Sequence, residues 1–213
     1  MYNRQTPCVF HHIEAMFHGI PKNASTSIKH LLYEANHGKK FDGTIQWVHK
    51  GNERGGSVYL PLDEVKSDKF NKYLHFTVAR NPYDRFTSFY TDLCLGSTNH
   101  RHAMPPFFTD NKIPVRELTI NQAVDLVCKY TNDNEIDEHI ACQLSFVHVP
   151  NVNVLKIESL ERDWAACCEK LGIAYCTVPV YNKSTTSITL TEDQKYTIYN
   201  RYKKDFERFG YEQ

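Results

Sequence analysis

Two short apolar runs, each closed by a proline and followed by a helical pattern, constrain this chain more than any other feature. The first, Ala15 to Ile20, ends at Pro21, and Ser25, Thr26 and Ser27 then precede Ile28, Leu31 and Leu32 at helical spacing. The second, Tyr73 to Ala79, runs directly into Arg80-Asn81-Pro82, with a helix expected over Tyr83 to Leu95. A third strand is expected at Val152 to Ile157, before an amphipathic helix over Leu160 to Leu171 that Gly172 stops. Strands alternating with helices predict an α/β fold built on a parallel β-sheet flanked by helices, in a single domain spanning residues 1–213. Ligands of such sheets sit at the carboxyl ends of the strands.

Two of those strand ends carry polar groups suited to anions. At the first, Lys22 and the hydroxyls of Ser25, Thr26 and Ser27 stand where a helix begins. The first N–H groups of a helix lack partners and the helix dipole is positive there, so the position suits a phosphate. Ordinary helix capping and a solvated lysine account for the same residues. The spacing Gly-x-x-x-x-Gly-Lys-Ser/Thr of nucleotide triphosphatases is absent. At the second strand end, Arg80 is followed by Ser88 on the expected helix. Arg85 reads equally as a lining residue or as a member of an ion pair with Asp84 or another acid.

The rest of the chain excludes more than it offers. Lys+Arg and Asp+Glu are equal at 25 each, so no global field draws the protein to nucleic acid or a membrane. No apolar leader or run of membrane-spanning length is seen, which makes the expected location cytoplasmic. The seven cysteines include no C-x-x-C pair, and reduced thiols are expected. The histidines show no zinc-ligand spacing, so no metal site is expected. Residues 1–12 read as an N-terminal extension. A short helix is expected over Leu62 to Phe70, two more at Thr119–Tyr130 and Glu135–Phe146, and a terminal one at Glu192–Phe209. The terminal helix carries a stripe of Tyr196, Tyr199, Tyr202, Phe206 and Phe209 that reads as core. Residues 41–57 read as loop with an extended piece at 44–48, and residues 96–114, rich in Gly, Asn, His and Pro, as a loop facing a partner.

The two strand-exit segments together resemble the cofactor-binding signatures of sulfotransferases that use 3′-phosphoadenosine 5′-phosphosulfate (PAPS). The carbohydrate branch, with the heparan 2-O- and chondroitin/HNK-1-type enzymes, is the most similar. Ile20-Pro-Lys-Asn-Ala-Ser-Thr-Ser27 resembles the 5′-phosphosulfate loop, and Phe76-Thr-Val-Ala-Arg-Asn-Pro-Tyr-Asp-Arg-Phe-Thr-Ser-Phe-Tyr90 the 3′-phosphate segment. Weaker matches follow in family order: Asp137–Gln143, Val154–Leu160, Asn182-Lys183-Ser184, and Tyr202-x-x-Asp-Phe-x-x-Phe-Gly-Tyr211. The resemblance covers Phe17 to Tyr211 and implies a P-loop-like α/β fold. The membrane stem of the animal enzymes is missing, which leaves their Golgi setting and polymer acceptors in question.

The resemblance also implies roles. Lys22 would meet the bridging oxygen and the 5′-phosphate, with Asn23, Ala24, Ser25, Thr26 and Ser27 supplying N–H and hydroxyl donors. Arg80 and Ser88 would hold the 3′-phosphate, and Asn182, Lys183 and Ser184 would fold over the nucleotide. His49 matches by position the histidine that serves as base in the heparan 2-O-type relatives, against the plainer reading of a surface histidine. His139 resembles a family position expected to shape the acceptor side or support structure. His100, Arg101 and His102 suit an acidic sugar, whereas Met104, Phe107 and Phe108 suit an aromatic or aliphatic alcohol. The implied reaction is metal-independent transfer of a sulfuryl group to a hydroxyl of a carbohydrate or small molecule, leaving adenosine 3′,5′-bisphosphate. Neither Val78-Ala79-Arg80 nor Leu155-Lys156-Ile157 ends in an aspartate that would position Mg²⁺. The rival readings are a small-molecule kinase using ATP and Mg²⁺, and a non-catalytic relative that binds a nucleotide or sulfated ligand. Oligomeric state has no signature in the sequence.

Overall fold

The computed structural model describes residues 6–42, 48, 58–96, 104–181 and 187–213. His49, the 44–47 part of the expected extended piece, His100, Arg101, His102 and Asn182 to Ser184 lie outside them. The contacts group into two compact units, one of Met1–Ala79 with Phe146–Tyr181, the other of Arg80–Ser145 with Asn182–Gln213.

The first unit carries the sheet. Its strands are β1 (Cys8–Phe10), β2 (Ala15–His18), β3 (Val58–Tyr59), β4 (Leu74–Ala79) and β5 (Asn153–Lys156), in the order β3-β1-β2-β4-β5. β2, β4 and β5 are parallel, with Phe17 opposite Phe76 and Val78 opposite Leu155. β1 is antiparallel to both β2 and β3. The α/β expectation therefore holds with a mixed sheet, and Cys8–Phe10, read as part of an extension, is a buried strand. A three-residue strand is too short to show a period, so only its partners reveal it. Helices α1 (Ser25–His37), α2 (Leu62–Val65) and α6 (Leu160–Leu171) belong to this unit. Phe17, Ile28, Leu32, Phe76, Val78, Leu155 and Trp164 form its main core, the near-continuous apolar burial expected of central parallel strands.

The second unit is helical. It holds α3 (Pro82–Phe89), α4 (Pro106–Asp110), α5 (Ile120–Lys129) and α7 (Glu192–Phe209). Asn81 caps α3 by accepting from the Tyr83 N–H, with Pro82 at the first helical position. The helix expected to reach Leu95 passes into a π-helical turn at Tyr90–Cys94. Thr119/Gln122 and Thr191/Gln194 form capping boxes on α5 and α7. The core includes Phe86, Phe89, Phe108, Val127, Ile198 and Phe206, and Met104 and Phe107 pack against it. Phe107 meets Tyr130 edge-on at 5.1 Å between centroids. The aromatics read as an acceptor-side surface are thus core packing. In the α7 stripe Tyr202, Phe206 and Phe209 are buried, while Tyr196 is exposed.

The helix expected over Glu135–Phe146 does not form. Residues 133–142 are turns, bends and irregular chain, followed by a short 3₁₀ turn at Gln143–Phe146. Side chains distant in sequence take its backbone groups, a competition that local periodicity does not register.

Candidate functional site

The turn between β2 and α1 is built from local backbone geometry. Lys22 (φ 71°) and Ala24 (φ 56°) both lie in the left-handed region, unusual for residues with a Cβ. Between them Asn23 is fully buried, its N–H donating to the Ile20 carbonyl at 3.3 Å and its Nδ2 to the Val78 carbonyl of β4 at 2.8 Å. Asn23 is therefore an anchor that ties the turn to the end of β4. Ala24 is the N-cap of α1 and has no side-chain atom that caps it. Lys22, Ser25 and Thr26 are half-buried beside that helix start, whereas Ser27 is buried. Beneath the turn, the buried Lys29 donates its Nζ to the Tyr59 hydroxyl at 2.7 Å. Burial pushes that phenol up to about 12. A Cβ on Gly19 would come within 3.1 Å of the Phe17 ring and 3.4 Å of the Lys29 Cε, so glycine there leaves room for the lysine stem.

Close by in the same unit, two histidines turn inward. His18 Nδ1 meets the Phe146 carbonyl at 3.1 Å, its Nε2 meets His75 Nδ1 at 3.2 Å, and His75 Nε2 meets the Phe70 carbonyl at 3.3 Å. Burial lowers the His18 imidazole to about 3 and lowers His75 as well. Both rings have their nitrogens engaged inside the fold.

In the second unit, Arg80 precedes the α3 cap, and Gln143 holds its backbone twice. The Arg80 N–H donates to Gln143 Oε1 at 3.0 Å, and Gln143 Nε2 donates to the Arg80 carbonyl at 2.8 Å. Ser88, half-buried, lies near the end of α3. Arg85 is buried and donates to the carbonyls of Ala141 at 2.7 Å and Glu138 at 3.1 Å. Asp84 is exposed and is not its partner; Arg85 grips the segment that was expected to be helical. Asp205 accepts from the N–H groups of Gln143 at 2.8 Å and Leu144 at 2.9 Å. The Tyr202 hydroxyl donates to the Ile140 carbonyl at 2.9 Å, and the Cys142 N–H donates to Asp133 at 3.0 Å. Asp133 in turn pairs with Arg201 at 2.6 Å. Residues 138–144 thus form a shelf in which side chains take most of the backbone bonds, while the Ile140 and Ala141 N–H groups donate to the Asp137 carbonyl. Burial pushes the Asp205 carboxyl up to about 6, against the pull of its N–H donors and Arg85.

The sequence profile of the Sulfotransferase family matches residues 8–212. The chain belongs to the sulfotransferase family. No curated protein and no solved structure matches it.

Of the residues singled out in the sequence, Lys22, Ala24, Ser25 and Thr26 lie at a helix start in the first unit, and Arg80, whose backbone Gln143 holds twice, and Ser88 lie in the second. The backbone-holding roles of Gln143, Arg85 and Asp205 are not written in the sequence, because their partners are backbone groups about 60 residues away. The weak match at Tyr202-x-x-Asp205 was the only signal for Asp205. Among the described residues no cluster of three or more His, Cys, Asp or Glu side chains is arranged to hold a metal ion. No helix among them is long and apolar enough to cross a membrane.

Proposed function

We propose that this sulfotransferase moves a sulfuryl group from PAPS to a hydroxyl of a carbohydrate or small molecule, leaving adenosine 3′,5′-bisphosphate, without a divalent metal. The observation that carries the reading is the β2–α1 turn. Left-handed backbone at Lys22 and Ala24 and an N-terminus without a side-chain cap make a place for an oxyanion. When bound, the donor supplies an activated sulfuryl group on a phosphate leaving group. Lys22 stabilises the charge that develops on that phosphate, and the helix start with Ser25, Thr26 and Ser27 orients it. Arg80 suits the 3′-phosphate because its planar fork engages two oxygens at once. Ser88 adds a hydroxyl donor. Electrostatic placement carries most of the catalysis, as in phosphoryl transfer. Asn182, Lys183 and Ser184 are assigned to the nucleotide, and His100, Arg101 and His102 to the acceptor, on sequence alone.

Calorimetry tests the donor. Adenosine 3′,5′-bisphosphate is expected to bind without metal, and tight binding of ATP–Mg²⁺ in its place would identify a kinase instead. Arg80→Ala is expected to weaken the bisphosphate at least tenfold while sparing adenosine 5′-monophosphate. Lys22→Ala is expected to lower turnover more than bisphosphate affinity, and a loss confined to affinity would contradict its role.

A further inference from the structure

The residue that follows β4 is held by an amide from a distant part of the chain. Arg80 comes directly after Ala79, the last residue of the strand, and directly before Asn81, the N-cap of α3. Its N–H and its carbonyl both go to the side chain of Gln143, at 3.0 Å and 2.8 Å. A primary amide carries an acceptor and a donor side by side, so it does for Arg80 what a paired strand does for a residue in a ladder. Gln143 is fully buried and is itself held. Asp205, also fully buried, accepts from the Gln143 N–H at 2.8 Å and from the Leu144 N–H at 2.9 Å. The shelf is tied to α3 as well, because Arg85 takes the Glu138 and Ala141 carbonyls. At its near end Asp137 accepts from the His139 N–H at 3.0 Å and lies 2.7 Å from the ring Nδ1. All of these residues fall within one compact unit.

We propose that Gln143 is the positioning residue of the 3′-phosphate site, fixing the backbone from which Arg80 projects so that the guanidinium is presented before the nucleotide arrives. The inference rests on the reading of Arg80 as the 3′-phosphate ligand. The Arg80 N–H lies in the peptide plane before its Cα and the carbonyl in the plane after it. Holding both planes fixes φ and ψ of Arg80, and with them the direction of its Cβ. That direction matters because a guanidinium that engages two phosphate oxygens must match them in plane as well as in position. A strand-to-helix junction left loose would have to be ordered on binding, at a cost to affinity; the clamp removes that cost. Gln143 acts through Arg80 and does not touch the ligand.

The test uses the full chain and calorimetry with adenosine 3′,5′-bisphosphate and adenosine 5′-monophosphate. Gln143→Met removes both bonds to Arg80 and keeps an unbranched side chain of similar length. It is expected to weaken the bisphosphate about fivefold and to leave the monophosphate within about twofold of the parent. Added to Arg80→Ala, it should change the bisphosphate Kd by less than about twofold, because its effect travels through the arginine. A glutamine that only supports the fold would weaken both nucleotides alike and add in full to Arg80→Ala. Either result overturns the inference, as does unchanged bisphosphate binding by Gln143→Met, and each leaves the donor assignment standing. Where methionine prevents folding, amide exchange on the parent decides. Without nucleotide the Arg80 N–H is expected to exchange as slowly as that of Val78 in β4, and exchange at the rate of an exposed loop overturns the clamp. A parent that binds no bisphosphate, or an Arg80→Ala variant that binds it as well as the parent, removes the sulfuryl-donor reading of Arg80 itself, and this inference with it.

Discussion

The β2–α1 turn and the 138–144 shelf hold their site residues by opposite means. In the turn, neighbours in sequence do the shaping: Lys22 and Ala24 adopt left-handed backbone, and one buried side chain, Asn23, ties the result to β4. In the shelf no residue has left-handed backbone, and Arg85, Tyr202, Asp205 and Asp133 hold the peptide groups from elsewhere in the chain. A turn of the first kind loses its contacts one at a time. The shelf depends on side chains such as Arg85 and Asp205 that each serve two backbone groups, so removing one frees two.

That contrast orders the expected effects of substitution. Asp205→Ala leaves the buried Gln143 N–H and the part-buried Leu144 N–H without acceptors and is expected to cost about 3 kcal/mol, less whatever is recovered by no longer burying a carboxylate. Thermal unfolding measures it, and a loss under about 1 kcal/mol would show that the shelf is not held in this way.

Acid should divide the two units by sign. His18 binds a proton near its ordinary value of 6.5 when unfolded but only at about 3 when folded. Stability therefore falls as pH drops through that window, by up to about 2 kcal/mol at pH 5. Asp205 runs the other way. Its carboxyl is raised from 3.8 to about 6, so the folded chain binds the proton first, and its contribution improves as pH falls from about 6 toward 4. Denaturant titrations of His18→Gln and Asp205→Asn against pH separate the two. The His18 variant should lose part of the acid sensitivity, and the Asp205 variant should become more acid-sensitive than the parent.

Smaller effects are expected in the turn. Asn23→Ala removes the tie to Val78 and should cost about 1.5 kcal/mol, with bisphosphate affinity falling alongside stability in calorimetry. Ala24→Gly should stabilise by about 0.5–1 kcal/mol, because glycine adopts the left-handed backbone without a Cβ clash. Destabilisation there would mean that the turn is not strained.

The elements legible in the sequence were those whose signal is local. β2, α1, β4, β5, α6 and α7 lie close to their expected ranges, because apolar runs, capping residues and stopping glycines mark them. The Lys22 turn and Arg80 were visible for the same reason: each sits where a strand pattern gives way to a helix pattern. β1 and β3 are too short to announce themselves and exist through their pairing. Phe107 and Phe108, in a stretch without periodicity, read as suited to an apolar acceptor, whereas Phe108 stacks on Phe89 of α3 and Phe107 packs against Tyr130, just past α5.

The order of residues along the chain, by itself, determined the strand–helix alternation, the two anion-suited strand exits and membership of the sulfotransferase family, since all three are written in neighbouring residues. The tertiary structure decided that Glu135–Phe146 is an irregular shelf and that Arg85 grips its carbonyls. It also decided that Asp137 holds the His139 ring at Nδ1. A peptide segment chooses between its own helix bonds and side chains offered by others, and only the folded chain brings those others within reach.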